Sequence, residues 1–330
     1  MQSKENGGVK VNTSGSGVAL FECTPEEACK YKPYEKNGFP ITSKEVYVWK
    51  YQKNPDGPAR IFIAADEERG LLGHCVYMPR KLYFDDNKFI TAYQGVDSYL
   101  DPVARGKAIS GELQTMAAAA INCPFYSFPN KVAEKIALKY GRKIYAPLAY
   151  DVFPLKLRLH PSPRLRFVPD RLLDFISYSF YLLKYGFTAS DVRLVEIERF
   201  KPTHLTASEK INGKKTIDYL NWRYIENPCK KYTAFEFVQG EKVLGYIVST
   251  VKEGKIEIYD FLCAQGKEKA CLKAFVKWCR QGDGSHIFVQ SVGYDFPKYG
   301  FWPSRSRKNI ISFRMETQGI AFMFGDSDWD

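Results

Sequence analysis

The residues best suited to ligand chemistry stand where a strand-like run gives way to a helix-like run. An Asp-Pro pair ends the first run, a basic turn with Arg105 and Lys107 follows, and Ala108 and Ser110 open the second. The first N–H groups of a helix lack intrahelical partners and carry the positive end of the helix dipole, so they attract anions. The cations add charge, and small side chains let a phosphate reach the backbone. The stretch therefore predicts a phosphate site, although a basic surface loop entering an amphipathic helix has the same composition.

One histidine has the chemistry of a proton acceptor near neutral pH. His74 follows Leu-Leu-Gly in an apolar run that is predicted to form a strand. An imidazole with an ordinary pKa can take a proton from an attacking nucleophile, which makes His74 a candidate catalytic base. A histidine in an apolar strand is also commonly a hydrogen-bonded core residue, and the sequence leaves both interpretations open.

An apolar run near the C-terminus is followed by acidic residues, among them Asp326 and Asp328. A carboxylate at the end of a strand can bind a cationic amine at the mouth of a site. These two residues are therefore candidates for substrate binding, and a solvated acidic tail is the alternative.

Cysteine and histidine spacing argues against a metal site. The eight cysteines form no CxxC pair and the four histidines are scattered, so zinc-ligand spacing is missing from the sequence. Several cysteines, such as Cys75 and Cys263, stand in apolar stretches, which indicates buried free thiols in a reducing compartment. The sequence has no secretory signal and no apolar run long enough for a bilayer. We expect a cytoplasmic protein.

The net charge of +11 favours an acidic partner. Nucleic acid, an anionic membrane and a phosphorylated cofactor or substrate all fit that charge. The basic residues are spread along the chain, and no RRM, KH or zinc-finger pattern is present. Nucleic acid is therefore an unsupported partner.

Hydrophobic patterning predicts a mixed sheet with helices on both faces, an α/β (α+β) class. A Ser-Gly-Asn-Lys-rich start is followed by a meander of strands and then β-α-β units. The predicted strands are 60–66, 71–84, 88–100, 124–128 and 143–157, and the predicted helices are 106–121 and 130–140.

A heptapeptide repeat divides the chain. Residues 49–55 and 222–228 share the pattern W-[KR]-Y-x-x-N-P, each with an upstream helix-capping residue, Ser43 or Thr216. The same order of elements follows both copies, which indicates two tandem domains of one fold. We predict a flexible tail over 1–22, a first domain over 23–157, a linker with an apolar helix over 158–190, and a second domain over 191–330. The linker helix is predicted to pack between the domains rather than on a membrane surface.

The anion loop and its helix resemble the pyrophosphate-binding segment of the GNAT acyltransferases. That family carries Gln or Arg, two residues, Gly, one residue, then Gly or Ala; Arg105 matches the first position, and Ala108 and Ser110 stand where glycines are usual. The Leu-Leu-Gly turn before this strand, the segment 125–130 and the closing helix to Gly141 are also similar. The resemblance covers about residues 43–157 well and 214–326 more loosely.

This resemblance implies an N-acyltransferase that binds acetyl-CoA or another acyl-CoA between the splayed strands 91–100 and 124–128. The acceptor would be a primary amine, with amino sugars preferred. The implied cofactor-binding residues are Leu100, Arg105, Gly106, Lys107, Ala108, Ile109, Ser110 and Asn130.

Catalytic residues are harder to carry over. Aligned on the anion loop, the usual strand glutamate falls at Gln94, which leaves Asp97 as the nearest carboxylate and a candidate base. The usual helix tyrosine falls at Ala137, so the role of acid passes to Tyr126 or Tyr140. Asp97 can instead be a salt-bridged residue, and Tyr126 a packed strand aromatic.

The second copy departs from the family pattern. Its equivalent segment, 258–272, has no Arg-x-x-Gly-x-Gly, and Glu268 stands where phosphates would lie. We predict that this copy is degenerate and has a structural and substrate-wall role. Two alternatives stay open: a tandem-GNAT transferase that uses aminoacyl-tRNA, and a non-catalytic acyl-CoA-binding protein.

Overall fold

A computed structural model gives the fold and describes residues 5–6, 9–10, 12–13, 18–85, 88–159, 165, 167–188, 190–202, 215–313, 322–323 and 326. The strands are β1 (Glu5–Asn6), β2 (Val9–Lys10), β3 (Asn12–Thr13), β4 (Ala19–Cys23), β5 (Arg60–Asp66), β6 (Gly70–Asp85), β7 (Lys88–Leu100), β8 (Phe125–Ser127), β9 (Lys143–Pro154), β10 (Arg193–Ile197), β11 (Thr233–Gln239), β12 (Lys242–Lys252), β13 (Lys255–Cys263), β14 (His286–Val292), β15 (Trp302–Phe313) and β16 (Phe322–Met323). The α-helices are α1 (Pro25–Ala28), α2 (Lys44–Tyr51), α3 (Ile109–Ala120), α4 (Lys131–Lys139), α5 (Asp170–Tyr185), α6 (Ile217–Leu220), which a π-helical turn (Asn221–Ile225) continues, and α7 (Glu268–Gln281).

One continuous sheet runs through both halves in the order β10-β11-β12-β13-β14-β9-β15-β8-β7-β6-β5-β4-β3. Most neighbours are antiparallel, whereas β7–β8 and β13–β14 are parallel. Each parallel pair is joined through a helix, α3 in the first half and α7 in the second. The predicted α/β (α+β) class is confirmed.

The two halves exchange a strand at the centre of this sheet. β9 from the first half lies between β14 and β15 of the second half, and β15 lies between β9 and β8 of the first. Phe153 of β9 is consequently buried in the core around α7, together with Phe275. Ile310 of β15 is buried beside Tyr126 in the first half. Each half therefore completes its core with a strand from the other.

The repeated tryptophans meet where the halves face each other. The Trp49 and Trp222 rings stack with centroids 4.9 Å apart and an interplanar angle of 24°. The Trp49 indole N–H donates to the Trp222 carbonyl at 3.3 Å, and the Trp222 indole N–H donates to the Trp49 carbonyl at 3.0 Å. Both rings are almost fully buried. This reciprocal contact relates the two copies of the motif by a local two-fold symmetry.

The elements agree well with the sequence-based prediction. The strands over 60–66 and 88–100 have the predicted bounds, and Ser43 and Thr216 cap α2 and α6 as predicted. α3 begins at Ile109 rather than at residue 106, because Gly106 has a φ of 80° in the left-handed region.

The linker helix has one buried and one exposed face. α5 buries Leu173 and Tyr185, whereas Phe175 and Leu183 are 66% and 73% exposed. Tyr185 packs in one core with Phe153 of β9 and residues of the second half, and the packing of this helix between two domains stays a prediction. The domain bounds themselves stay a prediction, since the sheet continues across them. No helix in the described ranges is both long and apolar enough to cross a bilayer.

The tryptophan pair should contribute strongly to stability. We expect Trp49→Ala and Trp222→Ala each to cost about 3–5 kcal/mol, because a large buried ring and its hydrogen bonds are lost. The double variant should cost less than the sum by about 0.5–3 kcal/mol, since either change alone breaks the shared contact. Urea unfolding measures all three, with the half-exposed Trp302→Ala as control. Strictly additive costs would contradict the coupling.

Candidate functional site

A cavity of about 960 Å³ opens between β7 and β8 in the first half. Residues of helices α3 and α4 line it, together with Asn37 and Pro40 from the loop before α2. Because β7 and β8 are paired only from Tyr93 to Gly95, their later residues diverge and leave the gap. The cavity therefore lies where two neighbouring strands separate beside a helix N-terminus.

The predicted anion loop borders this cavity. Arg105, Ser110 and Leu100 are on its wall. No side chain from the part of the chain that the structure describes caps α3, and the Ile109 N–H donates to the Lys107 carbonyl. The next N–H groups of the first turn, those of Ser110 and Gly111, can therefore bind a ligand. Small residues matter in this turn: a Cβ on Gly111 would lie 1.8 Å from the Tyr140 Oη. A helix N-terminus beside an arginine can bind a phosphate group, so the predicted anion site stays a prediction that this geometry allows.

The remaining predicted cofactor residues lie in and around the same loop. Gly106, Lys107 and Ala108 are exposed beside the cavity without forming its wall. The Ile109 side chain is buried in the core under the loop. Asn130 is on the wall and caps α4, since its Oδ1 accepts from the N–H groups of the two first-turn residues at 3.0 and 2.9 Å.

Asp97 lies on the cavity wall in a β-bulge, with a φ of 42°. Its Oδ2 is 2.6 Å from the Lys50 Nζ and accepts from the Tyr51 hydroxyl at 2.5 Å. Both partners belong to the W-[KR]-Y motif, so the motif holds the carboxylate that the sequence singled out as a base. Both members of the ion pair are more than nine-tenths buried.

The second half repeats this arrangement. Tyr224 of its motif donates to the Asp260 Oδ2 at 3.0 Å. The Lys215 Nζ lies 3.0 Å from the same oxygen. Asp260 stands three residues before the end of its strand at Cys263, as Asp97 does before Leu100. A Tyr–Asp pair that persists in the copy predicted to lack an anion loop supports the local fold, whatever further role Asp97 has.

His74 is placed away from the cavity. Its side chain is fully buried, its Nε2 is 3.1 Å from the Tyr47 hydroxyl, and Phe39 packs edge-on against the ring. Burial lowers the pKa of His74 to about 4, although the charge of Asp97 opposes that shift. The structure therefore corrects the prediction that His74 is catalytic. The ring is a neutral core group and does not line the cavity.

Tyr126 also faces away from the cavity. Its side chain is fully buried against Phe322, with centroids 5.0 Å apart, and against Phe128. Burial raises the pKa of its hydroxyl well above the ordinary value. The structure corrects its predicted role as the acid and favours the alternative, a packed strand aromatic.

The predicted substrate carboxylate, Asp326, is an interior residue. Its side chain is 6% exposed and lies 3.4 Å from the Arg80 Nη2 and 3.2 Å from the Lys215 Nζ. Gln94, on the cavity wall, donates to the Asp326 carbonyl at 2.8 Å. Asp326 therefore joins cations from both halves instead of standing in solvent at the mouth. Asp328 lies outside the described residues.

The inner end of the cavity contains residues that the sequence analysis missed. Tyr77, Gln114 and Arg142 form part of its wall, and Gln114 and Arg142 also line a smaller cavity of about 150 Å³. Arg142 follows the closing helix directly after Gly141. Its position in the sequence gives no indication of ligand binding, which becomes visible only in the folded chain. Lys50 belongs to the repeat motif, and this repetition was the feature of the sequence that could have indicated its ion pair with Asp97.

In the second half, the equivalent turn has a different character. β13 ends at Cys263, and α7 begins at Glu268, which places a carboxylate in the first turn. α7, like α3, has no side-chain cap hydrogen bond, but Glu268 places a negative charge in its first turn. The loss of an anion site in this copy stays a prediction, because that charge would repel a phosphate.

Solved structures with a similar fold include proteins described as acyltransferases or GNAT proteins. A conserved Enterococcus faecalis protein, described as a probable N-acyltransferase, matches with a TM-score of 0.59 and 13% identity over 89% of this chain and 72% of that one. A tandem GNAT protein from the clavulanic acid biosynthesis pathway matches with a TM-score of 0.53 and 10% identity over 90% and 98%. The chain has a tandem GNAT fold.

A third structure extends the comparison within this fold. Saccharomyces cerevisiae N-myristoyltransferase with bound myristoyl-CoA matches with a TM-score of 0.52 and 10% identity over 91% of this chain and 80% of that one. No protein-family model and no curated protein matches the sequence. In the GNAT fold of this chain, the cavity lies between β7 and β8, the two strands between which the sequence analysis predicts the cofactor.

The Asp97 pair yields a stability prediction. Asp97→Asn keeps a residue type that tolerates a positive φ, but it removes the charge that faces buried Lys50. We expect a loss of about 3–5 kcal/mol in the free energy of unfolding. Adding Lys50→Met should recover part of that loss, which urea unfolding of the single and double variants measures. A double variant as unstable as the sum of both would refute the pairing.

The buried histidine yields a pH prediction. Its pKa is about 4 in the fold and 6.5 ordinarily, so the unfolded chain takes up the proton first as the pH falls. The stability contributed by neutral His74 is therefore complete above about pH 6.5 and declines toward pH 4, by about 3 kcal/mol. His74→Gln should flatten the stability–pH curve across this window in urea unfolding. An unchanged slope would show that the histidine does not titrate there.

Proposed function

We propose that the chain is an acyl-CoA-dependent N-acyltransferase whose cofactor site is the cavity between β7 and β8. The observation that carries this proposal is the uncapped N-terminus of α3 next to Arg105 on the wall of a cavity in a GNAT fold. A diphosphate on these N–H groups would leave the pantetheine arm to run between the diverging strands. Acetyl-CoA or another acyl-CoA is the donor class that fits this arrangement, and acetyl-CoA is the probe for its binding.

The proposed reaction joins an amine to the acyl carbon. The amine nitrogen attacks the thioester carbonyl, the carbon–sulfur bond breaks, and CoA leaves as a thiol with the proton that the amine gives up. Holding both reactants together can supply up to about 7–11 kcal/mol of the acceleration. Asp97 is the predicted catalytic residue that remains on the cavity wall, so we keep it as the candidate base. The acceptor class, a small primary amine such as an amino sugar, rests on the fold alone.

Binding of the cofactor is the first test. Acetyl-CoA at about 100 times its Kd should add about 2.7 kcal/mol of stability and raise the Tm by a few degrees. Arg105→Ala should lose most of this shift, because it removes the charge beside the helix N-terminus. Arg69→Ala, an exposed arginine in the turn before β6, is the matched control and should keep the shift.

Differential scanning fluorimetry with acetyl-CoA and free CoA gives the readout. No shift of the wild-type protein with either ligand would overturn the proposal. A shift that Arg105→Ala and Arg69→Ala retain equally would place the cofactor elsewhere. Binding without CoA release over a panel of amines would instead favour the non-catalytic acyl-CoA-binding alternative.

A further inference from the structure

The inner end of the cavity is polar. The Arg142 Nη2 donates to the Tyr77 hydroxyl at 2.9 Å, and the guanidinium lies 4.6 Å from the centroid of the Phe125 ring. Gln114 of α3 adds an amide to the same wall. A wall that contacted only an unbranched alkyl chain would be aliphatic and aromatic, whereas this part of the wall includes a cation.

Strand register separates this end from the anion loop. Tyr77 pairs with Gly95, and Phe125 pairs with Tyr93, so Arg142 lies at the level where β7 and β8 are still joined. The loop with Arg105 follows the far end of β7 at Leu100. At about 3.3 Å per residue, Gly95 and Leu100 are about 17 Å apart. A CoA with its diphosphate on the loop would therefore point its acyl group toward the Arg142 end.

The charge of Arg142 is not matched by an acidic neighbour. Within the described residues its guanidinium contacts the Tyr77 hydroxyl and the Phe125 ring, and no carboxylate forms an ion pair with it. A guanidinium has five N–H donors, so most are left for a ligand. In the described residues the Gln114 Oε1 is buried without a hydrogen-bond partner, and only rotation of the amide would place its NH2 group there. The free donors at this end are therefore those of Arg142, and Gln114 adds to them once its amide has rotated.

The charge of Arg142 also reaches the groups around it. Burial raises the pKa of the Tyr77 hydroxyl and of the Cys75 thiol, and Arg142 opposes both shifts. A half-buried cation gains from an anion, because charge-assisted hydrogen bonds replace the water that a ligand displaces. An alkyl terminus would displace the same water and return no hydrogen bond.

We infer that the acyl group carried by this protein ends in a carboxylate, as in a dicarboxylic half-thioester such as succinyl-CoA. The inference rests on the proposed function, since it assumes that the cavity holds an acyl-CoA. The terminal carboxylate pairs with the Arg142 guanidinium, and the Gln114 amide donates to its second oxygen. Tyr77 holds the guanidinium in place.

Isothermal titration of a matched ligand pair tests this inference without knowledge of the amine. Succinyl-CoA and butyryl-CoA both carry four-carbon acyl groups and differ in the terminal carboxylate. Wild-type protein should bind succinyl-CoA about 10-fold to 100-fold more tightly. Arg142→Met should abolish that preference while free CoA still binds, and Arg142→Lys should keep part of it. Lys139→Met removes an exposed charge from the end of α4 outside both cavities and should keep the full preference.

The possible failures are distinguishable. Equal affinity of the wild-type protein for the two acyl-CoAs, with CoA still bound, would overturn this inference and leave the proposed function standing. An Arg142→Met variant that weakens free CoA and every acyl-CoA alike would place Arg142 at the nucleotide, which also overturns it. No binding of any CoA to the wild-type protein would overturn both proposals. The Tm of each variant shows whether a loss of affinity reflects a loss of fold.

Discussion

The contact between Trp49 and Trp222 is the constraint on which the arrangement of the two halves depends. Each indole donates to the other's backbone carbonyl while the rings stack, and both bonds form only if the two copies face each other symmetrically. The contact fixes α2 and the π-helical turn after α6. Because Tyr51 and Tyr224 follow two residues later in each motif, it also sets the position of the two strand carboxylates.

Buried charges reinforce the same junction. Asp326 contacts Arg80 from the first half and Lys215 from the second, and the Arg80 guanidinium lies 3.7 Å from the centre of the Tyr219 ring. Buried ion pairs of this kind contribute little net stability, because desolvation offsets the attraction, but a misplaced partner is costly. The network therefore contributes more to the specificity of the contact between the halves than to its stability. Its connection to the cavity through Gln94 links that junction to the candidate site.

Local patterns made much of the first half predictable. Strand periodicity, the capping residues and the basic turn before α3 are encoded over a few neighbouring residues, so the elements around Arg105 and Ser110 were found from sequence. Burial was not predictable in the same way. His74 looks like a candidate base in isolation, and only the packing of Tyr47 and Phe39 from other segments makes it a core residue. Arg142 becomes a candidate ligand-binding residue only once the folded sheet places it beside Tyr77.

The strand exchange has a consequence for how the chain is made. During synthesis β8 and β9 emerge long before β15, so the first half leaves the ribosome with an open gap in the middle of its sheet. Unpaired strand edges invite wrong partners, and contacts between distant segments form late. The sheet of the first half can therefore close only after residues 302–313 have been made. Two units that follow each other in sequence thus depend on each other in folding, and the first cannot complete its sheet without the second.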